Sequence, residues 1–531
     1  MPTPIPRRGF LAAGAGLLGA AALGACGVSN DGAGSGAADS AGTSVAGGTA
    51  AAGKPKKGGV LRIGSLGGDK DSIDPTYSST DIDQQRGQNL YDSLTQLSGE
   101  LPYHFDEGLA ESIELGAGAM SATVRLREGV EFHHGKTLAS DDLIFTIQRI
   151  LDPDRPGRAA KALAAVDPAN IETIDDRTVK FNFKTPDSMF PKRFGSASAS
   201  ILPIDFDPEN PVGTGPFKYD SFTAGSRSVF KRYENYWRDD GPYVDELQII
   251  SFSDDTSRTS ALLAGQVDAL DGIDPALLNQ IGDGFQQLIT KSGFYQPITM
   301  RVDLPPFNDV RVRQAFRLMV DRPAMVEQAY SGFAEVANDV PNPADPGFPS
   351  DLPQREQDIE QAKSLLKQAG VEGMTVTLTT APENGNLVNS AEVFAQHAKA
   401  AGVTINIDNL TPSAYDAKFT EWPLTNGYWA AGIIGTTYAS RFIKGAGAND
   451  SHWDDPEGLA LYNQMLGMTD QGKQDELANE LLTRFYDMGP DVVHTYKNNV
   501  DAYSSKLTGF EPFSSNGWSL GAWRYRLVSF V

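Results

Sequence analysis

The chain has 531 residues, of which 40% are hydrophobic and 21% charged, and its formal net charge is −23. That length exceeds one minimal core and predicts two or three domains, while the composition is typical of a globular protein. The acidic excess argues against nucleic acid as a partner, because phosphates require a basic surface. It is compatible with a cationic or neutral solute, and equally with simple solubility.

The first 26 residues are predicted to be an export signal. An Ala-, Gly- and Leu-rich run of about 15 residues is too short and too rich in glycine to span a membrane. The preceding RRGFL, which starts at Arg7, resembles a twin-arginine export motif, although Pro6 stands where Ser or Thr is usual. A general secretory route therefore stays open. The sequence LGAC resembles a lipobox, in which Cys26 would be lipidated and become the mature N-terminus.

Residues 27–57 are mostly Gly, Ala and Ser without an apolar period, which predicts a flexible tether. A tether of that length has a typical reach of about 30 Å. Upstream of it, Gly14, Gly16 and Gly19 spell GxGxxG. A dinucleotide site needs a strand before these glycines and a helix after them within a folded unit. We reject that interpretation, because the match lies inside the predicted export signal.

The folded body is predicted to begin near Gly58 with a strand from Val60 to Gly64. The hydroxyl-rich run Tyr77–Asp81 follows this strand after a turn. Such a loop suits hydrogen bonding to a solute, and it suits the cap of a helix equally well. Further along, Ser140 is the candidate cap of a helix with a clean apolar face.

Residues 212–274 predict strands, a short helix and another strand. Gly213 and Gly215 flank a turn whose backbone needs freedom that a Cβ would deny. A strand, helix and strand in this order predict a parallel pair. The supporting segments are the strand Leu247–Phe252, the helix cap Asp254–Thr256, the helix end Gly265 and the strand Val267–Leu270.

The second half of the body repeats helix and strand patterns. Asp309 and Asp321 are candidate caps of two successive helices. The arginines of the first of these helices predict a solvated or ion-paired face: Arg311, Arg313 and Arg317. Residues 358–408 then predict helix, strand, helix and strand, and hence a right-handed crossover, with these markers: Gly370 and Gly402 as helix ends and Asn389 as the second cap.

Two local motifs could carry chemistry. Adjacent His133 and His134 in an extended segment point to opposite sides, and no cysteine accompanies them, so they predict a turn rather than a metal site. Gly517–Gly521 spells GxSxG, in which Ser519 would be the nucleophile of a secreted hydrolase. That fold needs an acid and then a histidine after the serine, whereas the ten residues after Gly521 contain neither.

Several longer blocks, in matching order and spacing, resemble the solute-binding proteins of peptide/nickel-type ABC importers, which form family 5. The resemblance covers roughly residues 58–531. The blocks are LAESIEL with VRLREGVEFHHGKTLASDDLIFTIQRILDP, then VGTGPF, NYW, PYVDEL, GQVDALDGI and PPFNDVRVRQAFRLMVDRPAMVEQAYSG.

This resemblance implies an α/β fold of the periplasmic-binding-protein type, with two lobes, an extra subdomain and a ligand cleft between the lobes. The two segments that cross between the lobes are expected near Gln296–Met300 and Val492–Tyr496. The implied division is 1–26 signal peptide with lipobox, 27–57 tether, 58–95, 210–297 and 498–531 lobe I, 96–209 extra subdomain of lobe I, and 298–497 lobe II.

The implied function is that of an extracytoplasmic lipoprotein, held on the outer face of the cell membrane by Cys26. It would bind a peptide-like solute as a monomer and deliver it to an ABC permease and ATPase, with no catalysis, cofactor or metal. Bare nickel is disfavoured by the lack of a dense His/Cys cluster in the sequence, although a nickel chelate stays open. The sequence is also compatible with an oligosaccharide or opine-like solute, with the secreted hydrolase, and with an adhesion or signalling lipoprotein that binds no solute.

The resemblance also implies where the solute would bind. In peptide-binding relatives, a strand in the region of residues 412–455 carries a Trp followed by an Asp that pairs with the ligand's α-ammonium. Aligning Trp429 with that Trp places Gly432 where the Asp would stand. Because a buried ammonium without a carboxylate is costly, either another acid such as Asp81 replaces it or the solute has no amine there. The expected ligand-binding residues are Ser79, Thr80, Asp81, Trp422, Tyr428, Trp429, Gly432, Tyr438 and Tyr496.

Overall fold

The computed structural model describes residues 55–78, 80–99, 105–382, 386–513 and 518–531, without the side chains of residues 105–107. The export signal, Cys26, most of the tether and Ser79 lie outside the described residues. Among the described helices, none is long and apolar enough to cross a membrane.

The body is a mixed α/β structure. Its strands are β1 Val60–Leu66, β2 Thr95–Leu97, β3 Phe105–Glu107, β4 Ala110–Leu115, β5 Ser121–Leu126, β6 Val166–Asp175, β7 Thr178–Phe183, β8 Phe217–Thr223, β9 Arg227–Arg232, β10 Glu246–Phe252, β11 Ala269–Leu270, β12 Phe285–Tyr295, β13 Ile298–Met300, β14 Ala334–Val336, β15 Thr375–Thr380, β16 Thr404–Asn409, β17 Leu424–Asn426, β18 Asp491–Val492, β19 Thr495–Ser504, β20 Leu507–Thr508 and β21 Ser529–Phe530. Its α-helices are α1 Asp81–Leu90, α2 Ser140–Ile150, α3 Asp255–Leu263, α4 Val310–Leu318, α5 Arg322–Tyr330, α6 Ile359–Gln368, α7 Leu387–Ala400, α8 Pro412–Asp416, α9 Ile434–Arg441, α10 Pro456–Leu466, α11 Gln471–Met488 and α12 Ser519–Ala522.

The eight-stranded first sheet has the order β12-β19-β11-β1-β10-β9-β8, and β14 also pairs with β19. The predicted helix after β10 is present as α3, where Asp254 accepts a hydrogen bond from the Ser257 amide, and Gly265 follows it at φ 70°. The predicted pairing of the flanking strands is wrong. β10 and β11 both run parallel to β1, which lies between them, so the crossover passes over a strand from the start of the body.

The five-stranded second sheet has the order β16-β15-β17-β13-β18. As predicted, β15 and β16 are parallel strands joined by a helix, α7. The predicted cap of this helix is wrong, since Asn386 is the N-cap residue and Asn389 lies within the helix. A smaller third sheet, β4-β5-β7-β6, packs against α2, where Ala139 is the N-cap residue and Ser140 the first helical residue.

Each sheet covers an apolar core of its own. The first core contains Leu61 and Ile249, the second contains Leu378 and Phe394, and the third contains Val124 and Phe181, all fully buried. Each of these three sheets therefore packs at least one face against apolar side chains.

Two short segments connect the first and second sheets directly. Gln296-Pro297 joins β12 of the first sheet to β13 of the second, and Val493-His494 joins β18 of the second to β19 of the first. We call these segments the crossings. They fall in the two stretches that the sequence indicated, while the numbered lobe boundaries stay a prediction.

The arginines of α4 serve two different purposes. Arg311 pairs with the helix cap Asp309 on the surface, as predicted. The prediction of a solvated or ion-paired face is wrong for Arg313 and Arg317, which are buried and donate to backbone carbonyls at the C-terminal end of α11. Those carbonyls have no partner within their own helix, so the guanidinium groups satisfy them.

The motifs VGTGPF and NYW meet at one buried carboxylate, Asp92. Its oxygens accept hydrogen bonds from Thr214 Oγ1 at 3.1 Å, the Tyr236 hydroxyl at 3.2 Å and Trp237 Nε1 at 2.9 Å. Gln96 Nε2 donates a further bond at 3.3 Å. We call these five residues the Asp92 cluster. These two motifs thus stabilise the fold around Asp92.

The glycines beside Thr214 are required by close packing. A Cβ on Gly213 would lie 2.0 Å from the Leu90 carbonyl oxygen, and one on Gly215 would lie 2.7 Å from the same atom. His133 holds the same turn, because its Nδ1 accepts from the Gly213 amide at 3.2 Å and its Nε2 donates to the Gly215 carbonyl at 2.9 Å. The histidine pair therefore belongs to a turn, as predicted.

Candidate functional site

The carboxyl ends of parallel strands mark the candidate site in both large sheets. In the first sheet β1, β10 and β11 end at one edge, and β19 starts at that edge because it is antiparallel to β11. In the second sheet β15 and β17 are parallel, and their carboxyl ends lie where the crossings leave. Ligands of open α/β sheets bind outside such edges.

The edge of the first sheet is acidic. Asp271 follows β11 and accepts hydrogen bonds from Gln85 Nε2 at 2.8 Å and from Arg258 at 3.0 Å. Burial raises the pKa of Asp271 to about 7, against the opposing effect of Arg258. Asp81 is solvent exposed, yet loss of solvation raises its pKa as well, against the charge of Arg158. Asp271 and Asp81 therefore place two carboxylates of raised pKa at this edge.

Thr80 is part of the fold of α1. Its hydroxyl accepts from the Asp83 amide at 3.3 Å, and the Asp83 carboxylate accepts from the Thr80 amide at 3.4 Å. This reciprocal pair is a capping box. Of the two roles that the sequence left open for this loop, the structure gives Thr80 the helix cap and leaves Asp81 facing solvent.

The crossings are tied to the end of β17. Tyr295 and Trp429 exchange two backbone hydrogen bonds, of 3.0 and 2.9 Å. The Trp429 ring lies 4.2 Å from the Arg441 guanidinium carbon and packs with Tyr295 and Tyr496. The Tyr496 hydroxyl donates to the Val340 carbonyl at 2.6 Å. Trp429 and Tyr496, both expected to bind the solute, therefore pack in a small core beneath the crossings.

Arg441 is the centre of that core. It pairs with Asp450 at 3.3 Å and Asp491 at 2.8 Å, and it donates to the Tyr295 hydroxyl at 3.1 Å and Thr299 Oγ1 at 3.2 Å. We call these residues, with Arg441, the Arg441 cluster. Burial opposes the guanidinium charge, but Asp450 and Asp491 hold the pKa of Arg441 above its ordinary range.

The space beside Gly432 is filled by protein. A Cβ on this buried glycine would lie 3.0 Å from Thr437 Cγ2, and Asn342 Nδ2 donates to the hydroxyl of Thr437 at 2.9 Å. The nearby acid Asp345 is used by the fold, since it accepts from the Ile434 amide at 2.6 Å at the start of α9. Burial raises the pKa of Asp345 to about 6.

Two other expected residues lie away from this edge. Trp422 precedes β17, at the strand end opposite to Tyr428 and Trp429, and its Nε1 donates to the Tyr415 carbonyl at 3.2 Å. Tyr438 is fully buried in an apolar core with Tyr462 and Phe485. Neither side chain reaches the crossings. The length of β17 lies between Trp422 and the crossings, and Tyr438 is enclosed by the packing of α9.

Tyr428 has a different environment from its neighbour Trp429. It is 43% exposed, and its ring lies parallel to that of Phe294, with centroids 6.2 Å apart and 11° between the planes. Phe294 and Lys497, which sequence reasoning missed, are paired across β12 and β19 next to the crossings. Local alternation does not single them out, because the pairing of β12 with β19 shifts register just before Phe294.

The two alternative chemistries receive little support from the described residues. The Ser519 hydroxyl donates a hydrogen bond to the buried carboxylate of Asp501. The last histidine of the sequence, His494, packs against Tyr330. Across the described ranges there is no group of three or more His, Cys, Asp or Glu side chains that could hold a metal ion.

The chain is similar to known proteins both in sequence and in structure. The family model "Bacterial extracellular solute-binding proteins, family 5 Middle" matches residues 104–450. The di/tripeptide-binding protein 1 of Pseudomonas aeruginosa is 28% identical over 458 residues, which cover 76% of this chain and 83% of that protein.

Two solved structures share the fold. The periplasmic binding protein DppA of Helicobacter pylori, in complex with the peptide STSA, has a TM-score of 0.73 at 21% identity and covers 90% of this chain and 98% of its own. The binding protein AgaA of A. tumefaciens R10, in complex with agropinic acid, has a TM-score of 0.73 at 22% identity, with 89% and 99% covered. Both show the two-lobed architecture of periplasmic binding proteins, which this chain therefore has.

Proposed function

Because the chain belongs to the bacterial extracellular solute-binding proteins of family 5, we propose that it captures a peptide-like solute for an ABC importer. The solute would bind between the lobes and be handed to a membrane permease served by an ATPase. Binding would favour the closed arrangement of the lobes, because a ligand shifts a conformational equilibrium only through its differential affinity for the two states.

The observation that carries this proposal is the geometry of the crossings. The carboxyl ends of the parallel strands of both sheets lie where the two crossings run, so one solute can contact both lobes. This edge presents accessible Asp81 and half-buried Lys497 beside exposed Tyr428. A site with aromatic faces and a few polar groups is suited to orienting a small molecule without reacting with it.

Native mass spectrometry of the purified protein, followed by denaturation and identification of released compounds, tests the proposal. We expect small peptides to be released. An empty protein would next be screened by thermal shift with peptide and sugar libraries. If no compound of either class raises the melting temperature, the proposed function is wrong.

A second candidate solute is an amine-free compound such as an oligosaccharide or an opine-like molecule. Gly432 and the Thr437 methyl group beside it favour this candidate, because they leave no carboxylate for an α-ammonium at that position. AgaA, a protein of the same fold, was solved with agropinic acid. Release of a single amine-free compound in the experiment above would select this candidate over peptides.

We further propose that Cys26 carries a lipid anchor, which would hold the protein on the outer face of the cell membrane. The support is the sequence LGAC at the end of the export signal and the absence of any other cysteine from the sequence. Metabolic labelling with radioactive palmitate should mark the wild type, while Cys26→Ala should be unlabelled and released from membranes. Equal labelling of both would contradict the anchor.

A further inference from the structure

The register of β12 and β19 separates two sets of side chains at the crossings. Tyr295 pairs with Tyr496, and Phe294 pairs with Lys497. Neighbouring residues of a strand point to opposite faces of the sheet. Tyr295 and Tyr496 are buried together over Trp429, so Phe294 and Lys497 lie on the other face.

Tyr428 lies on that same outer face. Its chain neighbour Trp429 is bridged to Tyr295 and points into the buried core, whereas the Tyr428 ring stacks on Phe294. Among the described residues, neither Phe294 nor Tyr428 belongs to an apolar core cluster, and Tyr428 is 43% exposed. The pair is therefore accessible to a solute.

Lys497 connects this aromatic pair to the acidic edge of the first sheet. Its Nζ lies 6.0 Å from the centroid of the Phe294 ring. Burial lowers the pKa of Lys497, and Asp274 and Asp255 act in the opposite direction. These two acids follow the carboxyl ends of β11 and β10, and the start of β19, which holds Lys497, lies at the same edge because β19 is antiparallel to β11. The face that carries Phe294 and Tyr428 therefore adjoins the proposed solute site.

We propose that Tyr428 and Phe294 form a stacking surface that selects solutes with a planar aromatic or heteroaromatic ring. This inference rests on the proposed function and names a substrate class within it. Aromatic rings prefer offset or edge contacts with centroids 4.5–7 Å apart, and such contacts exceed simple area burial. The corresponding preference for a ring over a saturated group of equal size is about 2- to 10-fold in affinity.

The test compares two tripeptides that differ only in the central ring, Ala-Phe-Ala and Ala-cyclohexylalanine-Ala, by isothermal titration calorimetry. Wild type should bind the phenylalanine peptide about 2- to 10-fold more tightly. The variant Tyr428→Leu should bring this ratio close to 1, and Tyr428→Phe should keep it. A matched control is Tyr243→Leu, because Tyr243 precedes β10 at the opposite edge of the first sheet and should leave the ratio unchanged.

The outcomes separate this inference from the function on which it rests. If wild type binds both tripeptides equally, or if Tyr428→Leu keeps the wild-type ratio, the stacking surface is wrong while solute binding stands. If neither tripeptide binds, the same variants are tested for affinity with the compound released in native mass spectrometry. A ring-bearing compound that loses affinity in Tyr428→Leu but not in Tyr428→Phe supports the inference, and any other released compound overturns it. A protein for which no solute is found loses both proposals.

Discussion

The Asp92 cluster and the Arg441 cluster both bury charge, but they stabilise it in different ways. Asp92 is a single carboxylate surrounded by hydroxyl, indole and amide donors. Arg441 is a guanidinium held between two carboxylates and two hydroxyls. Burial raises the pKa of Asp92, whereas the acids beside Arg441 raise the pKa of the guanidinium despite its burial.

This difference matters because the two clusters serve different parts of the molecule. The donors to Asp92 lie within the first half of the chain, and the cluster holds the VGTGPF turn against the end of α1. The Arg441 cluster joins β12, β13 and β18, and so supports both crossings. Loss of a neutral donor leaves one unmet hydrogen bond, whereas loss of Arg441 leaves two buried carboxylates facing each other.

The largest expected effect is that of Arg441→Leu. This change leaves Asp450 and Asp491 buried without a compensating cation. The free energy of unfolding should therefore fall by about 3–5 kcal/mol. Urea denaturation followed by circular dichroism measures the change. The double variant Arg441→Leu/Asp491→Asn should recover part of the loss, because it removes one of the two uncompensated charges. A loss under about 1 kcal/mol would show that the cluster is as tolerant as a surface pair.

Asp92→Asn should lower the free energy of unfolding by less, about 1–3 kcal/mol. The new amide NH2 group would face a hydrogen-bond donor, and that donor would lose its acceptor. The same denaturation experiment measures this loss. Asp239→Asn, an exposed change in the same region, is the control and should alter stability little. If Asp92→Asn proves as costly as Arg441→Leu, the two clusters do not differ in the way proposed here.

His133, which holds the turn beside the Asp92 cluster, should make the stability of this region sensitive to acid. Burial lowers the pKa of His133 to about 4 from 6.5, so between these pH values the unfolded chain binds a proton that the native protein does not. Its contribution to stability is full above pH 6.5 and falls as the pH decreases toward 4, by up to about 1.4 kcal/mol per pH unit.

Unfolding curves at several pH values check this. The difference in free energy between wild type and His133→Gln should shrink on acidification from pH 6.5 toward 4. A difference that stays constant from pH 7 to 4.5 would contradict the shifted pKa. Protonation would remove the acceptor for the Gly213 amide, and with it one support of the Thr214 turn.

Local pattern predicted much of the fold. The helices capped by Asp254, Asp309 and Asp321, and the parallel strands β15 and β16, all have clear periodicity and end signals in the sequence. The insertion of β1 between β10 and β11 has no local signal, because it depends on pairing with a strand far away in the chain. The same limit applies to Asp92, whose partners come from several separate segments.

The candidate site was harder to predict, because a strand reverses its faces at every residue. Within the run GFYQPITM nearly every position around the crossing is apolar or aromatic, so alternation alone does not say which face is packed. In the structure Tyr295 and Trp429 pack into the buried core, whereas Phe294 and Tyr428 stack on each other outside that core. The expected set therefore contained Tyr428 on the outer face as well as the packed residues Trp429 and Tyr496. It missed Phe294 and Lys497, which lie next to the buried tyrosines along their strands.

The smallest expected effect concerns Thr80, at the start of the helix that leads to Asp92. Thr80 is the N-cap residue of α1, so Thr80→Ala should lower the free energy of unfolding by about 1 kcal/mol. Thr80→Ser keeps the hydroxyl and should retain most of the wild-type stability. Urea denaturation measures both changes, and calorimetry with the released solute measures affinity on the same samples. If the hydroxyl only caps the helix, Thr80→Ala should bind as tightly as wild type. A loss of affinity without a loss of stability would instead give Thr80 a role in the solute site, and the acidic edge of the first sheet would then extend from Asp81 into the preceding loop.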